Sequence, residues 1–243
     1  MNQTFGRYEF KYRIPEYTMP GLQALFLRQG MRFDPSVTKH GGSQYTVTSL
    51  YFDSPSYSDY RDKAGGFLSR KKIRVRIYDS FLTERTREIW LEKKEKHDMR
   101  ISKKRVLLSF ENYKVLLRGS HTQLLRSLSA HAHGAEILWH LAGEQMKPQL
   151  ITRYQRIPLI MPGPADFRIT LDSAIEACFS RDLCYSPPMK RVQPGTAVLE
   201  VKFSTLLPVW FRGMLRQYNV QRESFSKYAN AMEALRSYNP IPR

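Results

Sequence analysis

Along much of this chain, charged residues recur at every second position with apolar or aromatic residues between them. That is the period of an extended strand with two unlike faces. In residues 7–14 one face carries Arg7, Glu9, Lys11 and Arg13, and the other Tyr8, Phe10, Tyr12 and Ile14. Residues 72–78 repeat the pattern with Lys72, Arg74 and Arg76, and residues 89–96 with Trp90, Glu92, Lys94 and Lys96. Residues 166–171 set Arg168 and Thr170 opposite Phe167, Ile169 and Leu171. Residues 197–203 set Val198, Glu200 and Lys202 opposite Leu199, Val201 and Phe203. Residues 45–53, 103–107 and 151–157 read as further strands, the first ending at Ser54 and Pro55.

Helical periodicity is rarer. Pro20 and Gly21 open a stripe of Leu22, Leu25 and Phe26. Residues 110–143 predict two or three helices broken near Gly119 and Gly134. They form a helical insert, at about 109–145, in a single domain spanning 1–243. Residues 206–218 predict another helix. Ser224 is placed to cap a last one over 225–238, with Phe225, Tyr228, Met232 and Leu235 as its stripe. Gly, Pro, Ser and charge mark 39–43, 55–70, 162–164 and 186–195 as loops. Many strands at modest spacing with few helices predict an α+β, mostly antiparallel fold.

Charge decides which face is inside. Lys and Arg number 39 against 22 Asp and Glu, a formal net charge of +17. Such a field repels itself unless an anion is bound. A solvent face normally mixes both signs with Ser and Thr, whereas these rows are cationic with isolated Glu. The opposite rows are apolar and need the amphipathic helices packed on them. A curled sheet with helices outside therefore turns its charged rows inward, as a barrel's alternation requires. A cationic interior needs a polyanion as partner.

Arg offers a planar fork to phosphate oxygens and Lys a point charge, so Arg74, Arg76, Lys94, Arg156, Arg168 and Lys202 suit a chain of phosphates. A carboxylate in the same cage would hold Mg²⁺ or Mn²⁺, with Glu200 and Glu9 the first candidates and Glu92 the third; the alternative is that each pairs with a neighbouring cation. No Walker loop or dinucleotide fingerprint is present. His131, His133 and His140 read as surface or core histidines. Cys178 and Cys184 form no metal motif and are expected to be reduced. The polar N-terminus and the lack of an 18-residue apolar run predict a cytoplasmic location, with membrane association only through a protein partner. Aromatics lie mostly on the apolar rows and not among the cations, which argues against nucleic acid as a partner.

Taken in order, several segments resemble the VTC domain, the polyphosphate polymerase domain of the vacuolar transporter chaperone, within the triphosphate tunnel metalloenzymes. They are residues 7–12, 49–53 (Ser, Leu, Tyr, Phe, Asp), 74–76, 91–94 (Leu, Glu, Lys, Lys), 102–105, 154–156, 168–172, 199–202 and 224–228. The resemblance runs from Arg7 to about Met232. It implies an eight-stranded antiparallel tunnel barrel that binds ATP phosphates with Mn²⁺ or Mg²⁺ and extends inorganic polyphosphate. It also implies Lys11, Arg74, Arg76, Lys94, Lys104, Arg156, Arg168 and Lys227 as phosphate ligands, with Lys103 the alternative to Lys104. Lys202 stands in step with Glu200, the implied metal ligand. The expected catalytic set is Arg74, Arg76, Lys94, Arg168 and Glu200. Arg7 replaces a Glu common in the wider superfamily, which favours the VTC branch over a two-carboxylate hydrolase. Ser224 stands where polymerase relatives carry Lys. The competing expectations are a tripolyphosphate or nucleoside-triphosphate hydrolase, a polyphosphate-binding module without turnover, and a nucleic-acid binder.

Overall fold

The computed structural model describes residues 8–40, 42–97, 100–128, 131, 133–163, 166–185 and 187–237. Arg7, Pro164, Ser186 and Tyr238, each within a predicted element or loop, lie outside these residues. The chain begins with β1 (Tyr8–Pro15), α1 (Met19–Arg28), β2 (Arg32–Phe33) and β3 (Tyr45–Asp53). It continues through α2 (Ser58–Ala64), β4 (Ser69–Ile77), β5 (Ile89–His97) and β6 (Arg100–Leu108). A helical insert follows, α3 (Phe110–Leu117), α4 (His121–Leu128) and α5 (Gly134–Gly143). Then come β7 (Lys147–Ile160), β8 (Arg168–Phe179), β9 (Lys190–Arg191), β10 (Thr196–Phe203), α6 (Val209–Gln217) and α7 (Lys227–Arg236).

The main strands pair in the order β1-β10-β8-β7-β3-β4-β5-β6, with β2 on β7 and β9 on β8, and every pairing is antiparallel. The end strands β1 and β6 are not joined by a ladder, yet the sheet curls until they approach each other. Side chains span the seam: Lys94 of β5 donates to Glu9 of β1 at 2.7 Å. The α+β architecture is therefore a curled, barrel-like antiparallel sheet.

Alternation sorts the two faces as burial of apolar surface requires. The outer rows of β1, β8 and β10, including Tyr12, Ile14, Ile169, Leu171, Leu199 and Val201, pack under α1 and α6 through Leu22, Phe26, Phe211 and Met214. The outer rows of β4 to β6 (Ile73, Val75, Leu91, Val106) pack under the insert through Tyr113, Leu116, Leu124, Ile137 and Leu141. A third apolar cluster seats Phe225 and, from α7, Tyr228, Met232 and Leu235 against Val47, Tyr154 and Val198 of the inner face.

Two local expectations are corrected. Residues 55–70 are not all loop, because α2 forms there. It is capped from outside its own sequence: the Asp53 carboxylate accepts from the backbone N–H of Asp59 and of Tyr60 at 3.0 and 3.1 Å. The cap of α7 is Ser226, whose Oγ accepts from the Ala229 N–H, and not Ser224. Among the described residues no helix is long and apolar enough to cross a membrane.

Candidate phosphate-binding tunnel

The inner row of β4 places Lys72, Arg74 and Arg76 one after another across from β5, with Arg74 opposite Glu92 and Lys72 opposite Lys94. Arg74 donates to Glu92 through Nε and Nη2 at 2.9 and 2.7 Å, and through Nη1 to the Tyr51 hydroxyl at 3.3 Å. Arg76 donates to Ser49 Oγ at 3.2 Å and to the Tyr154 hydroxyl at 3.3 Å. Both guanidinium groups are thus fixed before any ligand arrives, which lowers the ordering cost of binding.

A second group crosses the seam. Lys11 Nζ lies 3.4 Å from Glu9 and 3.5 Å from Glu200. Lys202 lies 3.0 Å from Glu200 and 3.9 Å from Glu9. A third group sits at the foot of α7. Asp172 is fully buried and accepts from Arg156 at 2.7 and 2.8 Å and from Lys227 at 2.6 Å. Lys72 donates to the Ser226 hydroxyl, so α7 meets the charged row directly. Lys11, Arg74, Lys94 and Arg156 keep 20, 15, 29 and 13% of their side-chain surface accessible, so solvent reaches the concave space they line.

Nine of the expected residues come together here: Glu9, Lys11, Arg74, Arg76, Lys94, Arg156, Glu200, Lys202 and Lys227. Arg168 shares the inner row but sits at the rim, 49% accessible and 3.4 Å from Asp166. Lys104 does not join them. It points outward and donates to Glu136 of α5 at 2.8 and 2.7 Å, while Lys103, opposite Lys94, turns inward to Glu92. Glu92 is fully buried between Arg74, Arg76 and Lys103, the arrangement of a counter-charge and not of an open metal ligand. Sequence reasoning did not single out Lys72, Tyr51, Tyr154 or Asp172 for a role. Their signal is position in step with named residues: Lys72 with Arg74, and Asp172 with Arg168 and Thr170.

Electrostatics follow from this crowding. Burial and Glu200 push the Glu9 carboxyl up, but Lys94, Lys11 and Lys202 outweigh them and hold it at about 2. Glu200 is held well below the usual carboxylate range by Lys202, Lys11 and Lys94 against its burial. Burial, with Lys11 and Lys94 as like charges, lowers Lys72 to about 7. Burial lowers Lys103 to about 8 against the pull of Glu92. Cations depressed in this way are not fully compensated by the carboxylates near them, and a bound polyanion supplies the rest.

Binding of tripolyphosphate is consequently expected to take up protons. Lys72 is half neutral near pH 7 in the free protein, and a bound anion restores its ordinary, higher value. Affinity should then be flat below about pH 7 and fall as pH rises above it. Calorimetry in buffers of different ionisation enthalpy at pH 8 measures the uptake. None would show that Lys72 is charged before binding.

Glu9 and Glu200 could hold a divalent cation that displaced the lysines now paired with them. Both are held ionised, both offer hard oxygen ligands, and they flank the same two lysines; phosphate and water would complete the shell. Outside the curl, Glu95, Glu136 and His140 bring ligand atoms within 4.8 Å of one another. There Lys93 Nζ already stands 2.7 Å from Glu95 and 3.0 Å from Glu136, and Lys104 completes the neutralisation. This group ties α5 to the sheet.

A curled antiparallel sheet with a cationic interior, with α1, α6 and α3 to α5 outside and α7 seated on the inner face beside the charged row, is the architecture of the triphosphate tunnel fold. The VTC domain family matches residues 6–236, and the chain belongs to that family. No curated protein matches it. Among solved structures it is similar to HpAC1 of Hippeastrum, which is named for adenylyl cyclase and described as having a dominant triphosphatase activity. Identity is 13% over 94% of this chain and 96% of that one, with a TM-score of 0.51. It is similar also to the PH1819 protein of Pyrococcus horikoshii OT3, at 13% identity over 94% of this chain and 99% of that one, with a TM-score of 0.50.

Proposed function

We propose that the tunnel binds a triphosphate-bearing anion with a divalent cation, and that the protein transfers the γ-phosphoryl group of ATP to the end of an inorganic polyphosphate chain. The observation that carries this reading is the imbalance inside the curl. Among the described residues, Lys11, Lys72, Arg74, Arg76, Lys94, Lys103, Arg156, Lys202 and Lys227 are set against Glu9, Glu92, Asp172 and Glu200, with Asp59 acting on Lys72 from α2. The surplus of positive charge is held in place by hydrogen bonds and open to solvent.

Phosphoryl transfer asks a protein mainly for positioning and charge. Arg74 and Arg76, locked by Glu92, Tyr51, Ser49 and Tyr154, present forks to the non-bridging oxygens. Lys11, Lys94, Arg156, Lys202 and Lys227 surround the remaining phosphates, and Arg168 meets a phosphate at the rim. An oxygen of the acceptor's terminal phosphate attacks the γ-phosphorus as the bond to the bridging oxygen of ADP breaks, and ADP carries away the electron pair. Glu9 and Glu200 would hold Mn²⁺ or Mg²⁺, which supplies further neutralisation of the phosphate charge.

A second reading, hydrolysis with water as acceptor, draws on the triphosphatase activity described for the Hippeastrum protein and on the solvent access of the inner row. Incubation with γ-labelled ATP and Mn²⁺, resolved by chain length, separates the readings. A ladder of polyphosphate supports the polymerase and free phosphate alone the hydrolase. Bound label without turnover would reduce the protein to a binding module.

A further inference from the structure

Beside the end of β4 that carries Arg70, the chain presents an apolar tip that, among the described residues, stays exposed to solvent. Residues 64–69 are all exposed, with Phe67 and Leu68 retaining 60 and 68% of their surface. This tip is built rigidly. Helix α2 ends with Gly66 at φ +73°, the Gly66 N–H bonding to the Lys63 carbonyl at 3.4 Å and the Phe67 N–H to that of Asp62 at 3.1 Å. This is the paired closure of a left-handed helix stop, in which the residue after the glycine normally packs back on an apolar side chain of the last turn. Here that position is Asp62, which offers no apolar side chain for Phe67 to pack on, and Phe67 stays 60% exposed. Its ring rests on Gly65, where an added Cβ would stand 2.7 Å from Phe67 Cε2.

Cations surround the tip. Arg61 is exposed on α2, and Lys63 and Arg70 are half-buried at its two ends. Across the β4–β5 ladder, Lys96 lies opposite Arg70 and His97 opposite Ser69. Acidic groups also lie nearby: Asp62 on α2, Glu233 of α7 close to Lys63, and Asp59 and Glu144, which are taken up by Lys71 next to Arg70. We propose that this tip docks on the surface of an anionic lipid bilayer, with Phe67 and Leu68 entering the headgroup boundary and Arg61, Lys63, Arg70 and Lys96 meeting lipid phosphates. Apolar side chains ringed by cations are the combination such a surface selects, and a tip fixed in advance loses little freedom on binding. Docking would set the Arg70 end of the charged row against the membrane. The inference stands apart from the reaction proposed for the tunnel.

Co-sedimentation with phosphatidylcholine vesicles, with and without about a quarter phosphatidylglycerol, tests it against the double variant F67S/L68S. The wild type should bind the anionic vesicles and not the neutral ones. The variant should lose about tenfold or more of that binding while keeping its melting temperature and its tripolyphosphate affinity. Equal binding by the variant would assign vesicle binding to the overall positive charge and overturn the proposal. So would a wild type that ignores both vesicles or binds them equally. A dimer in light scattering that the variant abolishes would make a second copy the occupant, and would also overturn it.

Discussion

Replacing Glu200 by Gln should reduce Mn²⁺-dependent turnover of ATP by about a hundredfold or more while leaving the protein folded. The side chain is nearly isosteric, so packing on the inner row is kept. What changes is charge: Lys11 and Lys202 keep Glu9 as a partner, at 3.4 and 3.9 Å, and remain paired. The paired carboxylates that would hold the cation are reduced to one. Tripolyphosphate binding without metal should hold or improve, because one negative charge has left the tunnel. The diagnostic result is this opposition of lost turnover and retained anion affinity, read by chain-length analysis and by calorimetry without metal. Full turnover in the variant would remove Glu200 from the cation site and leave Glu9 alone there.

Most of the charged interior was legible because period two carries its own phase. In residues 8–14, 72–77 and 199–203 of β1, β4 and β10 apolar and charged residues alternate strictly, and each inner row falls where the pattern sets it. β3 occupies residues 45–53 as expected. β6 was ambiguous for a local reason. Lys103 and Lys104 are adjacent, and Val106, Leu107 and Leu108 form an unbroken apolar run, so neither end of the strand fixes which face is inward. Pairing decides it, with Lys103 opposite Lys94. The start of α7 offered two serines at alternate positions. Ser226 is selected because the next residue, Lys227, is drawn to Asp172, a contact 55 positions away. Helix α2 was missed for a similar reason. Its first-turn N–H groups are met by Asp53 of the preceding strand, and no periodic stripe marks so short a segment.

Asp172 is a residue whose loss should cost the fold heavily. It lies on β8 opposite Arg156, is fully buried, and carries both Arg156 and Lys227. Breaking a buried ion pair by deleting one partner costs about 3–5 kcal/mol, because the remaining charge is stranded. For Asp172→Ala this corresponds to a melting temperature lower by about 10 °C in a chain of this size. The gap should depend on pH with a definite sign. Burial would raise the Asp172 carboxyl, but Arg156 and Lys227 outweigh it and hold it below its ordinary 3.8. Its contribution is therefore complete above about pH 4 and lost as pH falls further, so the two proteins should converge in acid. An anion in the tunnel can replace the missing carboxylate. Tripolyphosphate should raise the melting temperature of the variant more than that of the wild type, since in the variant Arg156 and Lys227 have no carboxylate to give up. Equal ligand-induced shifts in the two proteins would mean that Asp172 matters for packing, and that the cations at the foot of α7 do not belong to the phosphate site.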